Sequence, residues 1–319
     1  MSKPLFNKGF SGLGQLGILL GMVGAGLVVG GLISVGVWMG MTGQGPLTMQ
    51  QDMLNPKFVG AIKVMQAVST LFGFFLPAVG YAFVCYRNGW HALGFGHNKI
   101  VLSLLGISLL LIMCSGALID GLSTLNKAIP VSPGAKAFFD KMERTYEEQV
   151  TVIAEAKTFS QYLLSLVMVA LLPAVFEEVL FRGGLQNLLL RWWKKPWVAI
   201  VATSIVFSAI HGSWYGFLPR IALGLLLGGI FYTTQNIWYS IIVHFVNNAV
   251  VVTYMYWLTM NKKPVSLATE SSFPWWAGII SLVVVVVLFR WLKKNSEQIV
   301  PQEMYEEHVD PFGTRNHTA

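Results

Sequence analysis

Phe176-Glu177-Glu178-Val179-Leu180-Phe181-Arg182 puts two carboxylates and a guanidinium inside a run, Phe159 to Leu190, that is otherwise largely apolar. At 32 residues the run exceeds the roughly 20 that a helix needs to cross a bilayer. Charges at that depth cost on the order of 2.5–3.5 kcal/mol each on insertion scales, so they face a bundle interior or a wet cavity and mark function by default. Helical geometry sorts the three. Glu178 and Arg182 are four apart, share a face and can pair in the favourable Glu-before-Arg order. Glu177 lies about 100° round the helix, so one carboxylate is expected to be held by Arg182 and the other left for chemistry.

The rest of the chain agrees with a membrane setting. Of 319 residues, 54% are hydrophobic and 12% charged, about half the charge of a soluble domain. The expected fold is an all-α, polytopic bundle of eight transmembrane helices, near Leu16–Met41, Phe58–Tyr86, Ile100–Ile119, Phe159–Leu190, Trp197–His211, Phe217–Thr234, Trp238–Leu258 and Trp275–Leu292. Lys63 is expected near the outer end of the second span. Pro173 is expected to kink the fourth just before its charges. Residues 1–294 read as one transmembrane domain and 295–319 as a polar, poorly ordered tail. The first span is too long for a signal-peptide core and is read as retained. Its pairs Gly17/Gly21, Gly26/Gly30 and Gly36/Gly40, with Gly224/Gly228 in the sixth span, have the spacing of close helix packing. Ala135–Lys157, rich in helix formers and mixed charge, reads as an interfacial helix capping the bundle, more a solvated helix than a substrate-contacting lid.

The net charge of +7 belongs to topology and anionic lipid rather than to nucleic acid. Eight spans put both termini on one side. Outside the long third loop, basic residues favour cytoplasmic termini, and the expected location is a bacterial cytoplasmic membrane. Cys85 and Cys114 lie in apolar segments and imply neither a disulfide nor a metal cluster.

Three more polar residues fall in spans: His211 at the end of Phe207-Ser-Ala-Ile-His211, and His244 with Asn248, four apart on one face. Asn247 is expected to point elsewhere. Glu177, Glu178, Arg182, His211, His244 and Asn248 can meet in one cavity, whose opening is expected on the cytoplasmic side. No HExxH or Gly-x-Ser-x-Gly is present and no cysteine is near, so a serine or cysteine nucleophile has little support; Ser208 is read as packing. Two mechanisms fit the residue types. In one, Glu177 is a general base for water, His211 orients that water, and His244 and Asn248 donate to the developing oxyanion. In the other, Glu177, His211 and His244 ligate Zn²⁺, which activates the water. The metal-free version is preferred, because asparagine is an ordinary oxyanion donor and a poor zinc ligand.

Glu177-Glu178-xxx-Arg182, Phe207-xxx-His211 and His244-xxx-Asn248, with the intervening Gly224–Trp238 stretch, resemble the three motifs of the CPBP family, the type II CAAX prenyl proteases and bacteriocin-processing (Abi) enzymes. The resemblance covers about residues 160–255. It implies an eight-helix intramembrane endopeptidase with Glu177 and His211 catalytic, Glu178 and Arg182 supporting, and His244 with Asn248 at the oxyanion. Some members are described as metalloproteases and others as glutamate-dependent, so zinc stays open at this stage. The implied partners are the bilayer and a membrane-anchored or prenylated protein or peptide. Two other classes compete: a non-catalytic immunity or scaffold protein, and a proton-coupled transporter, for which no inverted repeat is visible.

Overall fold

The computed structural model describes residues 7–96, 99–154, 156–265 and 273–300. Among them the regular structure is helical. Seven helices are long and apolar enough to cross a membrane: α1 (Gly12–Thr42), α2 (Pro56–Cys85), α3 (Leu102–Ala128), α5 (Phe159–Trp193), α7 (Phe217–Thr234), α8 (Ile237–Met260) and α9 (Trp275–Glu297). The shorter apolar α6 (Pro196–Ala209) stands between α5 and α7. The amphipathic α4 (Pro133–Ala154) precedes α5. The eight expected spans are therefore seven full-length helices and one of 14 residues, which reaches about 21 Å at 1.5 Å per residue against a hydrocarbon core of about 30 Å.

Local chemistry sets the boundaries. Ser11 caps α1 by accepting from the Gly14 N–H, and Gly43 ends it at φ 71°, a value glycine adopts without strain. Thr158 caps α5 through the Gln161 N–H. Lys194 ends α5 in a left-handed conformation, and Pro196 opens α6. Asn236 caps α8 through the Trp238 N–H. The polar tail expected from Asn295 starts later, because α9 runs to Glu297; residues 301–319 of that tail lie outside the described residues.

α5 is not a uniform α-helix. It is π-helical over Leu166–Leu171 and again over Val179–Gln186, with an α-helical turn, Leu172–Glu178, between. α2 has the same feature at Leu71–Phe75, just before Pro77. In both helices one wide turn, Leu166–Leu171 in α5 and Leu71–Phe75 in α2, ends two residues before a proline, whose missing N–H already interrupts the ladder. Glu177 and Glu178 thus end a short α-helical turn flanked by two wide ones.

Packing is closest where glycines meet neighbours. A Cβ on Gly26 would lie 2.0 Å from the Phe72 carbonyl, and one on Gly30 would lie 2.9 Å from Phe72 Cβ, so this pair seats α1 on α2. Gly17, Gly21, Gly36 and Gly40 face no atom of the described residues within 4 Å and make no such contact with them. On α7, a Cβ on Gly224 would strike Ser204, and one on Gly228 would strike Gln186 and Ile200. That close approach holds α6 and α7 together beside the charged stretch of α5.

Contacts between helix ends sort the two faces of the bundle. The Lys8 N–H bonds to the Cys85 carbonyl, Gly12 abuts Trp192, and Ser296 donates to Thr233 O. The start of α1 and the ends of α2, α5, α7 and α9 therefore share one face. On the opposite face Asn126 donates to Trp214 O, and the Phe273 N–H donates to Asp120.

Candidate active site

Glu178 and Arg182 form the structural half of the site. Both side chains are sealed from solvent, and Arg182 Nε lies 3.2 Å from Glu178 Oε2, although its N–H points off that line and finds no hydrogen-bond partner among the described residues. Arg182 also reaches the Gly224 carbonyl at 3.5 Å and lies 5.0 Å over the Phe207 ring. Glu178 Oε1 accepts from His244 Nδ1 at 2.9 Å. Breaking such a pair strands a buried charge. The half of α5 towards Trp193 continues in this way. Gln186 donates to Gly228 O, Asn187 and Arg191 both donate to Ala92 O, and Arg191 sits on Tyr86. Apolar side chains from Val179 to Leu190 complete a packed plug on that face.

Glu177 is the other kind of carboxylate. It keeps 12% of its side-chain surface, and Oε2 has His211 Nε2 at 4.0 Å and His244 Nε2 at 3.9 Å. Helices α5 and α8 bring Glu177 and His244 together; α6 delivers His211. The expected helical position of His211 is corrected: α6 ends at Ala209, and His211 lies in the following turn, where Gly212 takes φ 61°. Because α6 is short, that turn stays within the thickness of the bundle. Asn248 lies one turn beyond His244 on α8. Its carbonyl oxygen accepts from the Asn247 side chain at 3.3 Å, so Asn247 braces Asn248 and does not point away.

Hydrogen-bond roles fix the ring tautomers. His211 Nδ1 is 2.7 Å from the Phe207 carbonyl, which can only accept, so Nδ1 carries the proton. His244 Nδ1 faces the paired carboxylate of Glu178 and does the same. In the neutral rings both Nε2 atoms are bare lone pairs aimed at Glu177. His244 can therefore donate towards a substrate only after Nε2 gains a proton, a condition the residue types alone did not reveal. Phe207, edge-on to both imidazoles and under Arg182, is the packing centre of the group.

Two imidazoles and a carboxylate have the donor chemistry of a zinc site. Their spacing does not match one: ligands about 2.0–2.1 Å from a tetrahedral centre stand ~3.3 Å apart, and the gaps here are 3.9 and 4.0 Å. Among the described residues no group of three or more His, Cys, Asp or Glu side chains is set to hold a metal ion. As placed, the residues do not fit zinc.

α4 caps the bundle as expected; sequence reasoning missed the ties that hold it to the turn following His211. Glu143 accepts from the Ser213 hydroxyl at 2.8 Å and the Tyr215 N–H at 3.4 Å. The Tyr215 hydroxyl donates to Asp140, and Phe139 stacks on Trp214 at 4.4 Å. A cavity of about 410 Å³ lies between α4 and His211, and Met142 and Tyr146 line it. A second, of about 1140 Å³, runs on from Tyr146 past Arg220 to Val251 and Met255 of α8. Both lie on the α4 side, on the face away from the start of α1 and the end of α9. Cytoplasmic termini and a cytoplasmic mouth, both expected from sequence, therefore exclude one another. Lys63 lies near the start of α2, as expected, where it is buried and its ammonium donates to Ser165 Oγ at 2.8 Å. Ser208 donates to Phe217 O and is packing.

The family model described as type II CAAX prenyl endopeptidase Rce1-like matches residues 159–250, the segment that holds Glu177, Glu178, Arg182, His211, His244 and Asn248. No curated protein and no solved structure matches the chain.

Proposed function

From a segment that matches type II CAAX prenyl endopeptidases, we propose an integral-membrane endopeptidase in which Glu177 activates water against a peptide bond of a membrane-associated or prenylated, CAAX-type substrate. The observation that carries this reading is the convergence of Glu177 Oε2 with the two Nε2 lone pairs of His211 and His244. At 3.9 and 4.0 Å the gaps are too long for direct hydrogen bonds, and they suit a water about 2.8 Å from each atom. That water donates to at most two of the three acceptors, and a proton on the third completes the set.

In the proposed reaction Glu177 takes a proton from the water as its oxygen attacks the carbonyl carbon. His211, anchored by Phe207 O, orients the water. His244, protonated on Nε2 and backed by Glu178, donates to the developing oxyanion together with the Asn248 amide. The proton on Glu177 then passes to the leaving amine. Glu178 and Arg182 hold His244 in place. No step passes through a metal.

Cleavage of a quenched prenyl-CAAX peptide by the purified protein tests the reading. Wild type is expected to cleave it with or without a strong chelator, and Glu177→Gln is expected not to. Equal cleavage by Glu177→Gln removes the general base, and loss of activity on chelation removes the metal-free route.

We further propose cytoplasmic termini in a bacterial membrane, the orientation that the short-loop basic residues favour. The mouth then faces outwards, and the substrates are membrane-associated chains on that side. Cysteines introduced at Lys262 and Lys294, in a chain with Cys85 and Cys114 replaced by serine, report the orientation. An impermeant maleimide is expected to label residue 262 in intact cells and not residue 294. The reverse pattern puts the mouth in the cytoplasm and moves the substrate pool to cytoplasmic prenylated proteins.

A further inference from the structure

α3 is one apolar run, Leu102–Ala128, made of two helices, Leu102–Cys114 and Gly116–Ala128, that meet at Ser115. Cys114 and Leu118 are four apart, so an unbroken ladder would join the Leu118 N–H to the Cys114 carbonyl. Ser281 of α9 stands in that bond. Its hydroxyl accepts from the Leu118 N–H at 3.2 Å and donates to the Cys114 carbonyl at 2.5 Å. A side chain inserted into the ladder bends a helix at that point. α9 comes close enough to do this because glycines face each other. A Cβ on Gly278 would lie 3.2 Å from the Ala117 carbonyl oxygen and 3.8 Å from Gly121 Cα. The break in α3 is therefore held by another helix.

The half of α3 beyond the break ends on the His211 turn. Asn126, 1% exposed, donates to the Trp214 carbonyl at 2.8 Å and accepts from the Leu218 N–H at 3.0 Å. Leu218 lies in the first turn of α7, where N–H groups have no intrahelical acceptor, and Gly216 at the cap position has no side chain to offer one. Asn126 does from a distant helix what a capping side chain does. One amide thus fastens both the loop that leaves His211 and the helix that receives it. Eight residues, about 12 Å at 1.5 Å per residue, separate Leu118 from Asn126. A change of about 10° at the break would swing the amide by about 2 Å over that length, and a displacement of about 1 Å at a reacting group is already costly.

We propose that Ser281 and Asn126 are positioning residues for His211: the serine sets the angle of the outer half of α3, and the asparagine passes that angle to the His211 turn. Neither side chain touches substrate. The effect on cleavage deepens the protease reading and rests on it; the coupling of Ser281 to the turn does not.

The test reads three quantities on the full chain: cleavage of the quenched prenyl-CAAX peptide, the thermal midpoint, and hydrogen exchange of the amides of residues 208–216. Ser281→Ala removes the wedge and lets Leu118 bond to Cys114 directly. Its midpoint is expected at or above that of wild type, while kcat falls about tenfold with KM within about twofold, and the 208–216 amides exchange about tenfold faster. Ser281→Thr keeps the hydroxyl and is expected to restore both. Asn126→Ala is expected to lower kcat about 10²-fold, and adding Ser281→Ala to it to cost less than about a further twofold, because the link is already cut. If Asn126→Ala does not fold, the two Ser281 variants carry the test. Unchanged exchange in Ser281→Ala overturns the coupling, as does a loss of activity matched by a lower midpoint. Independent, multiplying effects of the two alanines overturn the shared route. Wild-type cleavage at a rate that Ser281→Ala leaves unchanged overturns the positioning role and leaves the protease. Faster exchange in Ser281→Ala, restored by Ser281→Thr, in a protein whose wild type cleaves nothing overturns the protease and leaves the coupling.

Discussion

Glu177 and Glu178 are neighbours in the chain and opposites in the fold. Glu178 lies in the half of the bundle that is packed shut, with Arg182 on one side and His244 on the other. Glu177 lies in the half roofed by α4, where two imidazoles approach it without bonding and cavities begin. One helical step separates a carboxylate paired on both sides from one that the imidazoles approach only at 3.9 and 4.0 Å. The difference comes from what the other helices bring. α7 supplies a carbonyl and close glycines to the sealed half. The short α6 supplies a turn with a histidine to the open half. The two residues should therefore answer substitution in opposite currencies, one in rate and the other in stability.

The largest effect expected is on rate. Glu177→Gln removes the proposed base and keeps the volume, so cleavage is expected to fall by about 10²–10⁴-fold, the range of general-base contributions. The thermal midpoint should stay within a few degrees of wild type, because Glu177 makes no hydrogen bond among the described residues and its imidazole neighbours lie at 3.9 and 4.0 Å. A variant that loses its fold along with its activity would erase the distinction between the two carboxylates.

Next comes stability. Arg182→Ala leaves Glu178 buried with one partner fewer and is expected to cost about 3–5 kcal/mol. Replacing both charges, as Glu178→Gln with Arg182→Met, is expected to recover part of that loss, since an apolar pair of similar volume often substitutes for a buried ion pair. Thermal melts of both variants in the same detergent check it. A double variant no better than the single one would mean that Glu178 is needed for His244 itself, and the sealed half would then belong to the chemistry.

These two predictions rest on features that the sequence made legible. Spacing of four pairs Glu178 with Arg182, and hydrophobic runs mark the spans, because both follow from the periodicity of one helix. What the sequence hid depends on more than one element. The wide turns of α5 at Leu166–Leu171 and Val179–Gln186 are not a periodicity that an α-helical reading can detect. Nor does spacing say which ring nitrogen carries a proton, since that is set by Phe207 O and Glu178. The attachment of the roof, though not the roof itself, escaped for a related reason. α4 is polar enough to read as solvated, and only the turn after His211 offers the partners, Ser213 and Tyr215, that tie it down. The three glycine pairs of α1 look alike in sequence, and only the one opposite Phe72 meets a neighbour.

A smaller effect probes the seam between the halves. Gly224 stands against Ser204, and a Cβ there would lie 2.8 Å from the serine Cβ and 3.0 Å from its Cα. Gly224→Ala is expected to push α7 from α6 and cost about 1–3 kcal/mol, as overpacking does. It should also lower activity more than Gly36→Ala does, because α6 delivers His211, whereas Gly36 faces open space. Equal effects of the two alanines would mean that the α6–α7 contact does not position the site.

The smallest effect expected belongs to the exposed tie between α4 and the His211 turn. The Tyr215 hydroxyl beside Asp140, with Lys136 also bonded to it, holds the Asp140 carboxyl below its ordinary range. The same bond to Asp140 raises the Tyr215 phenol. A depressed carboxyl contributes above its unfolded value, about 3.9, and that contribution is lost as pH falls through its own lower value. A raised phenol contributes below its unfolded value, about 10, and is lost as pH rises through its higher one. The tie is therefore whole across the neutral range and opens only at the extremes. Tyr215→Phe is expected to slow cleavage by less than about threefold, because an exposed contact of this kind is weak. The wild-type to variant ratio of kcat/KM should stay level from about pH 5 to 9 and shrink towards one in more acidic buffer. A ratio that grows in acid would mean that Tyr215 acts on His211 directly, and α4 would then belong to the reactive half of the bundle as more than its cover.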